Sequence, residues 1–174
     1  ELFRLFKNLF RILLLILILG VVVICYARYI EPHMLQEKYL TVESPQVPDH
    51  AENLKIAVFG DTHFGDYYDA DDFTKVLDAL EKMKPDIVVF SGDLIDYYDN
   101  YTGDVDEISG KFSEIEAPYG KYAIFGNHDY GGGAEYMYEA IMEAGGFTVL
   151  KNEYFAIEEL GIAVIGIDDV LIGY

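Results

Sequence analysis

The chain has 174 residues and sets 31 Asp and Glu against 12 Lys and Arg, a formal charge of −19. That length suits one domain with a real core rather than two large ones, and the acidity excludes a nucleic-acid-binding surface, which needs Lys and Arg against phosphate. A single cysteine, Cys25, excludes an internal disulfide framework.

The charge is unevenly spread. Arg4, Lys7 and Arg11 precede an apolar run, and acids dominate after Glu31. Leu2, Phe3, Leu5, Phe6, Leu9 and Phe10 alternate with those cations at helical spacing, a pattern suited to a short helix in a membrane interface. Ile12 to Ala27 then covers about 24 Å as a helix. Adding the flanking apolar residues to Ile30, with Arg11 and Arg28 snorkelling, brings it to the about 30 Å of a hydrocarbon core. A cleaved signal peptide is disfavoured because Ala27–Arg28 is a poor cleavage site. Ile24, directly before Cys25, is too large for a lipoprotein signal. The cations ahead of the span predict an N-terminus inside and a body on the extracytoplasmic face. Residues 1–30 therefore read as a membrane anchor. Residues 31–53, with Pro32, Pro45 and Pro48, read as a linker holding a short extended piece around Tyr39–Val42.

From residue 54 to 174 the pattern predicts one α/β domain. Lys55–Phe59 is a short β-branched strand, and Ala70–Lys84 carries Phe73, Val76, Leu77, Leu80 and Met83 at helical spacing up to Pro85. Asp86–Phe90 is a second strand, Val105–Ile115 a helix with a break near Gly110, and Lys121–Phe125 a third strand. Gly133–Ala144 is a helix stopped by Gly145–Gly146, followed by strands at Phe147–Leu150, Tyr154–Glu158 and Ile162–Ile167. Alternation of this kind predicts a largely parallel sheet, with ligands gathered beyond the carboxyl ends of its strands.

That edge is where the chemistry lies. Three strands each end in a glycine followed directly by a metal-ligating residue: Gly60–Asp61, with His63 two further on, then Gly92–Asp93 and Gly126–Asn127–His128. In an extended segment Asp61 and His63 point to one side. A cation pair needs a bridging carboxylate, for which Asp93 is placed, with imidazole for borderline metals and a neutral amide such as Asn127. His128 then stands where it can give a proton to a leaving oxygen. A dinucleotide-binding turn is excluded because Phe59–Gly65 lacks the three-glycine spacing, and a serine hydrolase because there is no G-x-S-x-G elbow.

Asp61-Thr62-His63, Gly92-Asp93 and Gly126-Asn127-His128-Asp129 together resemble the first three motifs of the calcineurin-like metallophosphoesterase superfamily. Val149–Glu153 and Gly166–Asp169 resemble its bacterial membrane-associated, YkuE-like branch. The resemblance runs from Leu54 to Gly173. It implies a partial calcineurin-like phosphoesterase fold, a β-sheet or sandwich flanked by helices, behind one N-terminal transmembrane helix. It implies two divalent metal ions (Mn, Fe or Zn) held by Asp61, His63, Asp93 and Asn127, with His128 as the transition-state histidine and Asp96 orienting it. The implied reaction is hydrolysis of a phosphomonoester or phosphodiester by two-metal in-line attack of a bridging hydroxide; the anchor makes a lipid-linked phosphoester one candidate substrate without fixing the bond cleaved. The superfamily's later histidine motifs are not matched: the four histidines are His33, His50, His63 and His128, and the first two lie in the linker. The expectation is that the gene continues past Tyr174. The competing expectation is a catalytically inactive, membrane-tethered binding remnant of the same fold.

Overall fold

The computed structural model describes residues 1–131 and 134–172. Gly133, predicted to open a helix, and Gly173 and Tyr174 at the end of the predicted domain lie outside the described residues. The chain forms two compact units, Glu1–Glu37 and Lys38–Tyr174.

In the first unit α1 runs from Leu2 to Tyr29 as one helix of 28 residues, about 42 Å long. No Gly or Pro occurs between Leu2 and Leu19 to divide an interfacial piece from a span, so the two predicted segments are continuous. Its aliphatic side chains are exposed, and by length and composition it is able to cross a membrane. A 3-10 turn at Glu31–His33, with Pro32 inside it, follows the helix.

The second unit holds a four-stranded parallel sheet in the order β1 (Ile56–Phe59), β2 (Ile87–Phe90), β3 (Lys121–Ala123) and β4 (Thr148–Val149). An antiparallel hairpin follows, β5 (Glu153–Ile157) with β6 (Ile162–Gly166). Helices α2 (Thr74–Met83), α3 (Val105–Ser113) and α4 (Ala134–Ala144) link the parallel strands. The stretch 39–42 forms no strand, while Asp49–Ala51 makes a 3-10 turn and buries Ala51.

Period-two alternation in β2 builds both sides of the core. Val88 and Phe90 join Phe64, Phe73, Ile108, Phe112 and Tyr138 on the helical side. Ile87 and Val89 face the other way, with Tyr122, Leu150, Ile157 and Leu160. Strand β1 is covered on one side only, since Ala57 is buried while Ile56 and Val58 are exposed.

Helix boundaries follow local chemistry. Helix α2 starts later than its apolar period suggests, because the Asp69 carboxylate accepts the Asp71 and Asp72 amides at 3.0 Å and holds residues 69–72 in a turn. It ends on Lys84 in the left-handed conformation (φ 51°), ahead of Pro85. Asp104 caps α3 by accepting the Asp106 amide at 2.9 Å. The helix passes through Gly110 without the predicted break, since packing of Ile108 and Phe112 outweighs the propensity cost of one glycine.

Candidate metal centre

Register places the strand ends level: Phe59 pairs with Phe90, and Phe90 with Ala123. Beyond the strands the loops stay joined. The Asp61 amide donates to the Gly92 carbonyl at 3.0 Å, His63 to Asp93 at 3.1 Å and Phe64 to Leu94 at 2.8 Å. The Thr62 hydroxyl donates to the Leu94 carbonyl at 3.0 Å. The first two loops therefore run side by side and turn their polar residues into one place.

The third loop nests against the second because two glycines allow it. Gly92 has φ +92°, and a Cβ there would overlap the Gly126 amide nitrogen; a Cβ on Gly126 would overlap the Asp93 carboxylate. Asp129, fully buried, supplies the bond between these loops. One carboxylate oxygen accepts the amides of Asp93 at 2.7 Å and Gly126 at 2.8 Å; the other accepts the Leu94 amide and the Tyr98 hydroxyl, each at 3.0 Å. Burial pushes the Asp129 carboxyl up from its ordinary value, while these same bonds pull it back. Burial, then the charge of Asp129, pushes the Tyr98 phenol far up. Neither Asp129 nor Tyr98 was among the predicted site residues. The signal for Asp129 was its place directly after His128; for Tyr98 nothing local marked it.

Asp61, His63 and Asp93 come together as predicted, but not through an extended segment. All three have positive φ (51°, 43° and 59°), a conformation costing about 1–2 kcal/mol in a residue with a Cβ. Left-handed turns, rather than strand alternation, aim the side chains inward. His63 Nε2 lies 3.7 Å from Asp61 Oδ1 and 3.8 Å from Asp93 Oδ2. One ligand atom from each residue falls within 4.8 Å of the others. These separations are close to the about 3.0–3.4 Å between neighbouring ligands around an ion held at about 2.1 Å, and two carboxylates with one imidazole suit a borderline divalent metal. The residues fit a cation.

His128 stands beside this group, its ring 4.6 Å from that of His63 and edge-on to it. Its Nδ1 is 2.7 Å from the Asp96 backbone carbonyl. A carbonyl only accepts, so Nδ1 carries the hydrogen and Nε2 is left for other chemistry. The predicted partner of His128, the Asp96 carboxylate, lies farther away at 3.5 Å and is shared with His63 Nδ1 at 3.6 Å. Asn127 is exposed and opens the 3-10 turn Asn127–Asp129. Asp168 is buried and bonds the Tyr130 hydroxyl, with Lys151 at 3.9 Å, so it serves the packing behind the third loop.

Comparison with known proteins agrees with this geometry. The chain is 37% identical over 151 residues to metallophosphoesterase YkuE of Bacillus subtilis, covering 85% of this chain and 52% of that protein. It is 30% identical over 141 residues to a metallophosphoesterase of Aquifex aeolicus, covering 81% of this chain and 52% of that protein. It is 29% identical over 105 residues to the UDP-2,3-diacylglucosamine pyrophosphatase LpxG of Chlamydia trachomatis, covering 60% of this chain and 31% of that protein. The chain thus spans about half the length of the first two of these relatives. Residues 54–172 match the calcineurin-like phosphoesterase family, and with its strand-end motifs folded into one centre the chain belongs to that family.

Proposed function

We propose that the full-length protein is a membrane-anchored, divalent-metal-dependent phosphoesterase, and that this chain carries its first metal site and its acid–base histidine. The observation supporting this is the approach of Asp61, His63 and Asp93 to within ligand distance of one another beside His128. When bound, divalent cations (Mn, Fe or Zn) supply Lewis acidity and a nucleophilic water at neutral pH. Asp61, His63 and Asp93 would hold one cation, and Asn127, at the head of the third loop, would be a ligand for a second. His128, fixed through Nδ1 by the Asp96 carbonyl, turns Nε2 to the leaving oxygen and exchanges a proton with it. Helix α1 anchors the body with the N-terminus inside. That address, and the acylated nucleotide sugar in the name of the LpxG relative, support a lipid-linked phosphoester as substrate.

The test is hydrolysis of bis-p-nitrophenyl phosphate and p-nitrophenyl phosphate by the full-length gene product in detergent, with Mn²⁺ or Zn²⁺ added. Metal-stimulated turnover is expected to fall at least a hundredfold in His63→Asn and Asp93→Asn. Undiminished turnover in both variants would overturn the proposal.

A further inference from the structure

We propose that Asp96 is a positioning residue for His63: its carboxylate accepts the Nδ1–H of His63 and so turns Nε2, with its lone pair, toward the cation site shared with Asp61 and Asp93. This rests on the metal-binding reading above.

His63 has two faces with different surroundings. Nε2 looks at Asp61 Oδ1 and Asp93 Oδ2. Nδ1 is sealed from solvent and has no hydrogen-bond partner within normal range, and the acceptor facing it is Asp96 Oδ1 at 3.6 Å. A buried N–H left unpaired is destabilising, and a small rotation of the half-exposed Asp96 side chain closes the gap.

A second grouping, His63, Asp96 and His128, also brings ligand atoms within 4.8 Å. It is not a second cation site, because the His128 nitrogen involved already carries the hydrogen given to the Asp96 carbonyl. A neutral His63 also cannot offer lone pairs from both nitrogens. The grouping reads instead as a hydrogen-bond array in which one residue serves two histidines through different atoms: the Asp96 carbonyl orients His128, and its carboxylate sets the tautomer of His63. Without that carboxylate, the favoured hydrogen position becomes Nε2, between the two acids, where it must be lost before a metal enters. Partners of this kind typically change metal affinity about 10–100-fold.

The division of labour makes the test clean, since a substitution at Asp96 removes the carboxylate but keeps the carbonyl bonded to His128. The full chain in detergent is titrated with Zn²⁺ alone by calorimetry. Asp96→Ala is expected to bind about 10–100-fold more weakly, and Asp96→Asn, which retains an acceptor oxygen, to recover part of the loss. Imidazole ¹⁵N shifts of the Zn²⁺-loaded unsubstituted chain should show His63 protonated at Nδ1 and metallated at Nε2. Equal affinity of Asp96→Ala and the unsubstituted chain, with binding abolished in His63→Asn, would overturn the role of Asp96 and leave the metal site standing. Unchanged affinity in His63→Asn would overturn the metal site itself. Metal on Nδ1 in the ¹⁵N spectrum would refute the proposed orientation directly.

Discussion

The backbone amide of His128 donates to Oδ1 of Asp93 at 2.8 Å. The two oxygens of Asp93 therefore have separate tasks: Oδ1 ties the third loop to the second, and Oδ2 faces His63 Nε2 across 3.8 Å. The third loop with His128 and the carboxylate facing His63 are held in register by one side chain.

Substitutions at Asp93 should separate these tasks. Asp93→Asn keeps an oxygen for the His128 amide, so its thermal midpoint should stay within a few degrees while Zn²⁺ affinity falls. Asp93→Ala loses both, adding a destabilisation of about 1–3 kcal/mol from the orphaned amide. Paired calorimetry and thermal melts check this.

Asp129 accepts four donors on two oxygens. An asparagine keeps only one accepting oxygen, so Asp129→Asn should destabilise the body by about 3 kcal/mol or more, two donors being left at about 1–3 kcal/mol each. Tyr98→Phe removes one donor to a charged acceptor and should cost about 1.5–3 kcal/mol. Urea denaturation of the two variants gives the comparison.

Glycine at position 92 is required by backbone and space together, and at position 110 by neither. Gly92→Ala should fail to accumulate as folded protein, because of its positive φ and the overlap with Gly126. A Cβ at Gly110 meets nothing within 4 Å, inside α3, so Gly110→Ala should stabilise by about 0.5–1 kcal/mol. The yield of folded Gly92→Ala and the thermal midpoint of Gly110→Ala, which should rise, check the two expectations.

Among the fifteen tyrosines, burial pushes Tyr98, Tyr130 and Tyr138 up, and burial with the charges of Asp72 and Asp69 pushes Tyr68 up to about 12. The folded state keeps these protons longer than the unfolded chain, whose phenols titrate near about 10. Their contribution to stability is complete below that pH and is lost as pH rises above it. Phenolate absorbance should thus show a late, cooperative phase coinciding with loss of circular dichroism. A single gradual phase with the fold intact would contradict this.

For the anchor, external protease added to right-side-out vesicles should degrade the body. Full protection there, with degradation only in inverted vesicles, would reverse the orientation inferred from Arg4, Lys7 and Arg11.

Much of this was legible in the residues. Lys55–Phe59, Asp86–Phe90 and Lys121–Phe125 announce strands of a parallel sheet, and the phase of Gly60, Gly92 and Gly126 announces loops that bring ligating residues to one edge of it. The left-handed turns at Asp61 and His63 were not legible, because their strain is tolerated only where backbone bonds to Gly92 and Asp93 hold them. The later start of α2 was hidden for a related reason: Phe73 continues the helical period, while the Asp69 carboxylate ends the turn first.

The sequence by itself determined which loops meet and which candidate ligands they bring, since glycines and side chains able to ligate a metal declare themselves by type and spacing. Only the tertiary structure decided how those ligands are held: Asp129 bonding amides some 35 residues away, and a backbone carbonyl at Asp96 orienting His128. Those choices belong to main-chain atoms, which every residue carries alike, and to contacts across long separations that exist only once the sheet has brought its strand ends together.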